Sequence, residues 1–479
     1  MAATTQTEEY VELKLLVNEE SNKVVFAEAG KDFVDILCSF LTMPLGTIGR
    51  LSHRDSNMGS VTIGCLNSLY QSVADLEEVS LLTDSSKELL LQPKNSSEDY
   101  CCTLKINIDE SQPTNYFITC VNCYCDRCPS LYISTSIDEH YKCRGTKRSV
   151  VLKHFCNGFV NCDATFVVTN DLVIMANSMV YTSFSLLKNS GIVTSSTKEV
   201  TVNVTKDKVL DLLKCALVSK SPLTDVFLGE KPSIERSRFF TSDDGNISNI
   251  QITIQLVIRK SDEKILFAHG EQDFADLLLS FLAYPLGGVV GKLKGCSSIG
   301  SIDGLYKSIV ELDENKNFMS KEAKHQLVDP HLVLEFKSTT QILPINQSPV
   351  SFYCYYEGKC SKQSILDQQF FISNELRRDG GKYVSVKLVK DKENAGSKEG
   401  YVKGPTTYLV TDDLVIGPSS PISVLLLINR LQIPLADLKE KVVTIGMKEC
   451  LSILKAALTS TSALTNALSH LLTEDKEKK

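Results

Sequence analysis

The chain contains an echo of itself. FVDILCSFLTMPLG at 33–46 returns as FADLLLSFLAYPLG at 274–287, with nine of fourteen positions identical. Any fold for this chain has to house two versions of one unit. Phe33, Ile36, Leu37, Phe40 and Leu41 fall at i, i+3, i+4, i+7 and i+8, the apolar stripe of an α-helix. Phe274, Leu277, Leu278, Phe281 and Leu282 repeat it. Asp32 and Asp273 precede the stripe, where a carboxylate is expected to cap free N–H groups and meet the positive helix end. Pro44 and Pro285 should end each helix, because proline lacks a donor and disfavours helix in the residue before it.

The echo extends along both halves. Val11, Leu13, Leu15 and Val17 alternate with mostly polar neighbours, turn at NEESN and return as KVVFAEA, which predicts a half-buried hairpin. Ile250, Ile252, Ile254, Leu256 and Ile258 repeat the alternation. A second helical stripe follows at Leu66, Leu69, Tyr70, Val73 and Leu76, matched by Ile302, Leu305, Tyr306, Ile309 and Leu312. The centre of each half is irregular, with short strands expected at 103–108 and 332–337, and exposed loops at 313–324 and 391–399. FVVTNDLVI at 166–174 and YLVTDDLVI at 408–416 each read as strand, tight turn and strand. An apolar run of helical length at 423–431 is weakly matched at 181–188. Strands at 200–204 and 441–444 then lead into helices carrying LLKCAL and ILKAAL.

Strands and helices are segregated rather than alternating, so the expected class is α+β. The expected organisation is two tandem copies of one α+β domain: β-hairpin, helices, irregular insert, strands, C-terminal helix. The first copy would span 10–229 with a Cys-rich insert at about 95–163, the polar linker 230–248, the second copy 249–470 and a charged tail 471–479. At 479 residues, more than one core is expected.

Charge bounds the partners. Fifty-one Lys and Arg against 58 Asp and Glu give −7, which offers no general attraction to nucleic acid or anionic membrane. No apolar run is long enough to span a bilayer. The polar, acidic start MAATTQTEEYVEL does not read as a secretory signal, so the expected compartment is cytoplasm, with the nucleus as the alternative. Sixteen cysteines in such a chain are read as reduced thiols, or as metal ligands where they cluster.

They cluster once. Cys120, Cys123, Cys125 and Cys128 form two C-x-x-C units, and His140 and Cys143 add an H-x-x-C pair downstream. Four soft ligands suit tetrahedral zinc, and C-x-x-C, a 16-residue gap and H-x-x-C is workable spacing. Binding energy would then help to fold a polar insert. Eleven of the sixteen cysteines lie at or before Cys162, and the second insert has only Cys354 and Cys360. The cofactor expectation is therefore one structural zinc, in the first insert only, with unliganded thiols as the alternative. GGVVGKL at 287–293 lacks the first glycine and final Ser or Thr of a phosphate loop. Asp171, Asp412 and Asp413 are read as turn formers before acid–base groups. No G-x-S-x-G, H-E-x-x-H or G-x-G-x-x-G occurs, and no catalytic residue is nominated.

KDFVDILCSFLTMPLGTIGRL at 31–51, CLNSLYQSVADL at 65–76, TNDLVI at 169–174 and LLKCALVSKSPLTDVFL at 212–228 together resemble the plant "domain of unknown function 674" family. The second half supplies DFADLLLSFLAYPLGGVVGKL, GLYKSIVELD and VTDDLVI. The resemblance implies a non-secreted plant protein with tandem copies, and implies no reaction. The family's insert carries a C-x-C-G-like element, of which KCRG at 142–145 keeps one cysteine. The leading reading is an intracellular binding or scaffold protein whose partner is a protein before a nucleic acid, with no membrane contact. The alternatives are an enzyme of unfamiliar chemistry with its pocket between the copies, and a zinc-dependent nucleic-acid binder.

Overall fold

A computed structural model describes residues 9–110, 116–119, 132–134, 148–152, 157–177, 188, 196–229, 251–332, 352–356, 370–373, 383–388 and 400–473. In the first half the strands are Val11–Asn18 (β1), Lys23–Ala29 (β2), Tyr116–Thr119 (β3), Tyr132–Ser134 (β4), Arg148–Leu152 (β5), Phe166–Thr169 (β6), Ile174–Ala176 (β7) and Thr197–Val204 (β8). In the second they are Ile252–Arg259 (β9), Ile265–Gly270 (β10), Phe352–Tyr356 (β11), Phe370–Ser373 (β12), Tyr383–Leu388 (β13), Tyr408–Thr411 (β14), Ile416–Pro418 (β15) and Leu438–Ile445 (β16).

The alternation in β1 and β9 places Leu13, Leu15, Ile254 and Leu256 against the core, with neighbours such as Glu12, Lys14 and Thr253 in solvent. Each strand builds an antiparallel sheet of five, in the orders β7-β6-β2-β1-β8 and β15-β14-β10-β9-β16. The class is α+β. Register is also shared, since Val11 pairs with Val204 at one sheet edge and Ile252 with Ile445 at the other.

The repeated stretch forms helix Lys31–Thr42 in the first half. In the second it forms helix Gln272–Ser280, extended by a 3-10 turn at Phe281–Ala283. Phe33, Phe40, Phe274 and Phe281 are buried. Asp32 and Asp273 are not the caps expected of them. Each lies inside the first turn, and the cap positions are Gly30 and Glu271, neither with a side-chain cap bond. The carboxylates still complement the positive helix end.

Two further expectations fail. Residues 103–108 form no strand, because side chains turn the backbone there. The Thr103 hydroxyl donates to the Tyr100 carbonyl, and Asn107 Oδ1 accepts the Asp109 N–H at 2.9 Å. The run 313–324 is largely helical, in Glu314–Asn317 and the start of Lys321–Val328. Asp313 and Ser320 cap those helices, and Phe318, Ala323 and Leu327 bury the face that a charge count hides. The strand expected at 332–337 and the loop at 391–399 lie outside the described residues, apart from Leu332, which is not in a strand.

The halves interlock. Pro44 and Pro285 meet in an antiparallel bridge, flanked by Leu45 N–H to Tyr284 O and Leu286 N–H to Met43 O, both 2.9 Å. The N–H of Cys65, before helix Leu66–Asp75, donates at 2.7 Å to Ala457 O in the last long helix of the other half. Ser301 N–H donates to Ala216 O at 2.8 Å in the reciprocal contact. Gly64 and Gly300 precede these donors at φ 51° and 40°, where a side chain would strike the facing helix backbone. Among the described residues, most buried apolar side chains from Val11 to Leu472 merge into one core that runs through both halves, and a smaller cluster lies on the outer face of the second sheet.

Candidate functional site

The irregular inserts meet one another. Strands β3, β4 and β5 from the first and β11, β12 and β13 from the second close a barrel in the order β11-β12-β5-β3-β4-β13. Within each insert the pairs are antiparallel, and the two seams, β12 with β5 and β13 with β4, are parallel. Neither insert closes a barrel alone.

The chain leaves the barrel through two matching roots. In the first, Phe159 and Val160 donate their N–H groups to Asp35 Oδ1 at 2.8 and 2.9 Å. In the second, Tyr401 and Val402 donate to Asp276 Oδ1 at 2.7 and 3.1 Å. Val160 also bridges to Phe318 and Val402 to Leu81, so each root is held by its own core helix and by the opposite half. Asp35 has a countercharge, Lys31 Nζ at 2.6 Å. Asp276 has only the Gln272 amide at 3.3 Å, and burial pushes its carboxyl up to about 6 despite the two N–H donors. Sequence reasoning passed over both aspartates. Their signal was present: one acidic residue held at the same place inside an apolar helical run.

Cys120, Cys123, Cys125, Cys128, His140 and Cys143 lie outside the described residues. The strands that bracket them are described. Cys120 directly follows Thr119 at the end of β3, and Cys143 precedes Arg148 at the start of β5. Ile118 pairs with Arg148, which brings those two strand ends together.

Five cysteines, Cys38, Cys65, Cys101, Cys215 and Cys450, are buried packing groups. Cys65 and Cys450 are buried, and burial pushes their thiols up to about 12. Burial likewise raises Cys38, Cys101 and Cys215, so none is a ready thiolate. Among the described residues, no group of three or more His, Cys, Asp and Glu side chains could hold a metal ion.

The acidic turns do structural chemistry. The Thr169 hydroxyl donates to Asp171 and that of Thr411 to Asp413, both at 2.5 Å. Asn170 Oδ1 accepts the Thr224 N–H at 3.0 Å, and Asp412 Oδ1 accepts the Thr465 N–H at 2.8 Å. Each turn thereby anchors the start of a terminal helix. Leu172 and Leu414, both buried, take the left-handed conformation at φ 65° and 63° rather than Asp or Asn.

A polar cleft of about 460 Å³ opens where the halves meet, lined by Asn161, Cys162, Asp163 and Asn177 from the first and Lys316 and Asn317 from the second. Asn161 ties its walls, donating from N–H to Asn317 O at 3.0 Å and from Nδ2 to Lys316 O at 2.8 Å. Among the described residues no helix is long and apolar enough to cross a membrane.

A family model described as Protein of unknown function (DUF674) matches residues 7–448. Neither a curated protein nor a solved structure matches the chain.

Proposed function

The chain belongs to the DUF674 family of proteins of unknown function, and from that starting point we propose that it is an intracellular binding scaffold with a protein partner. The observation that carries this is helix Pro421–Leu431, PISVLLLINRL. One side packs Ile428 beside Val257 and Phe267 on the outer face of the second sheet. The other leaves Ile422, Leu425 and Leu426 exposed at 70%, 54% and 64%. A helix apolar all round belongs in an interior, and a contiguous exposed apolar patch marks an interaction surface. The occupant is a protein surface that supplies the missing apolar layer. Leu425→Glu with Leu426→Glu tests it. Proteins cross-linked to the wild-type chain should be lost from this variant, and retention of all of them would remove the reading.

The reading includes one structural zinc in the first insert. Cys120, Cys123, His140 and Cys143 are its ligands, with Cys125 and Cys128 in reserve. The pairing of Ile118 with Arg148 supports this, because it draws the segments carrying the two ligand pairs toward one barrel end. The zinc would hold the insert rather than do chemistry.

A second reading, an enzyme acting on a small polar substrate, is favoured by the cleft between the halves. A thermal-shift screen with small metabolites separates the two. A specific metabolite that raises the melting temperature favours the enzyme.

A further inference from the structure

The contacts that close the junction come in pairs, each the other with the halves exchanged. Cys65 Sγ donates to Ser460 O at 2.9 Å, and Ser301 Oγ donates to Ser219 O at 2.8 Å. At the barrel roots the Leu82 N–H donates to Tyr401 O and the Met319 N–H to Phe159 O, both at 2.9 Å. The barrel obeys the same rule. Exchanging β3, β4 and β5 for β11, β12 and β13 turns the seam of β12 with β5 into that of β4 with β13. A surface on which i meets j and j meets i is isologous, the geometry of a two-fold dimer.

Two contacts are not mirrored, and they set which halves pair. Ser97 Oγ donates to Gln326 Oε1 at 3.3 Å in the buried junction. When helix Asp84–Leu91 is aligned end to end with Lys321–Val328, Leu89 stands at the place of Gln326. A pair of two first halves would therefore leave the Ser97 hydroxyl without this acceptor. Lys220 Nζ donates to Gly300 O. Thr461 follows Ser460 as Lys220 follows Ser219, so a pair of two second halves would lose that contact. Each half is thus matched to the opposite half before its own kind.

Nothing in such an interface requires that its two sides belong to one chain. We propose that the junction is an interaction surface for a second copy of this chain. Two chains exchange second halves, and each first half closes its junction and barrel with the second half of the other. The exchange makes no contact that the single chain lacks. It replaces a pairing within the chain by the same pairing between chains, which is the low-cost route to a dimer. This goes beyond the protein-scaffold reading and stands independently of it, since it uses the junction and not the exposed helix Pro421–Leu431.

The test uses the full chain with a protease recognition site inserted between Gly229 and Gln251. Linked halves meet at an effective concentration on the order of millimolar, so chain refolded from urea at about 1 µM should be monomeric, while refolding at about 0.3 mM should add a dimer. The dimer is isolated by size-exclusion chromatography and the inserted site is then cut. A dimer formed by exchange should fall to half its mass, each particle holding one first half and one second half. The cut monomer should keep its mass, because the junction holds without the covalent link. A dimer that keeps its full mass after complete cutting, as copies docked through Leu425 and Leu426 would, overturns the inference. So does a cut monomer that separates into free halves, a particle made of two first halves, or the absence of any dimer at the higher concentration. None of these failures touches the apolar helix and its protein partner.

Discussion

Pro44 and Pro285 face each other across an antiparallel bridge. The two segments that end the core helices therefore touch one another. Prolines cannot donate to such a bridge, so the donors are the next residues, Leu45 and Leu286, each reaching the residue before the opposite proline. Around this point the relation is reciprocal. Gly46 packs on the carbonyl of Leu282, and Gly287 on that of Leu41.

Gly64 and Gly300 should tolerate no side chain. A Cβ at Gly64 would lie 2.5 Å from Ala457 O, the acceptor of the Cys65 N–H, and one at Gly300 would strike Ala216 O. Left-handed backbone alone costs an alanine roughly 1–2 kcal/mol. Gly64→Ala and Gly300→Ala should each lose about 2 kcal/mol or more in denaturant titration. Gly30→Ala, with ordinary φ and nothing within 4 Å, should stay within about 1 kcal/mol of wild type.

Asp276 should make stability depend on mildly acid pH. Its carboxyl is raised from 3.8 to about 6, first by burial and also by nearby Asp273. The folded state thus holds a proton that the unfolded state releases. The resulting stabilisation is fully present below about 3.8 and is lost as pH rises through about 6. It amounts to at most about 3 kcal/mol. Gln272→Lys, which copies the Lys31–Asp35 pair, should lower that pKa and make the profile between pH 4 and 7 less steep, with the burial of Asp35 and Asp412 leaving a residual slope. Stability measured by urea titration across this range checks it.

Phe40→Ala and Phe281→Ala should each cost about 3–5 kcal/mol, since both rings are buried at the centre of the frame. Because the core is continuous, either change should lower the unfolding midpoint of the whole chain. A loss confined to one half would speak against the continuity.

Protein purified without an affinity tag should contain about one zinc per chain by elemental analysis. Cys120→Ser with Cys123→Ser should remove it. A metal-free insert with every cysteine reduced and the fold intact would end that part of the proposal.

Much of the frame was legible because period and composition carried it. The stripes from Phe33 and Phe274, the alternation of β1 and β9 and the turns at Asp171 and Asp413 are local signals. The helix Lys321–Val328 was missed because its cap, Ser320, and its buried residues, Ala323 and Leu327, are scattered among charges. The roots at Asp35 and Asp276 depend on partners more than a hundred residues away, and the barrel shared by the two inserts depends on strand register. Neither long-range pairing nor register is written in a single strand's composition. The candidate zinc ligands were visible as spacing alone.

The central claim is that the halves form one cooperative unit, joined at Pro44–Pro285 and by the Cys65–Ala457 and Ser301–Ala216 hydrogen bonds. Native-state hydrogen exchange under rising denaturant tests it most directly, because those cross-half amides report on the junction itself. The account predicts that Leu45, Cys65, Leu286 and Ser301 open at one shared free energy, equal to that of the inner strands β1 and β9. Opening of one half's amides at a clearly lower free energy, with the other half still protected, would contradict it.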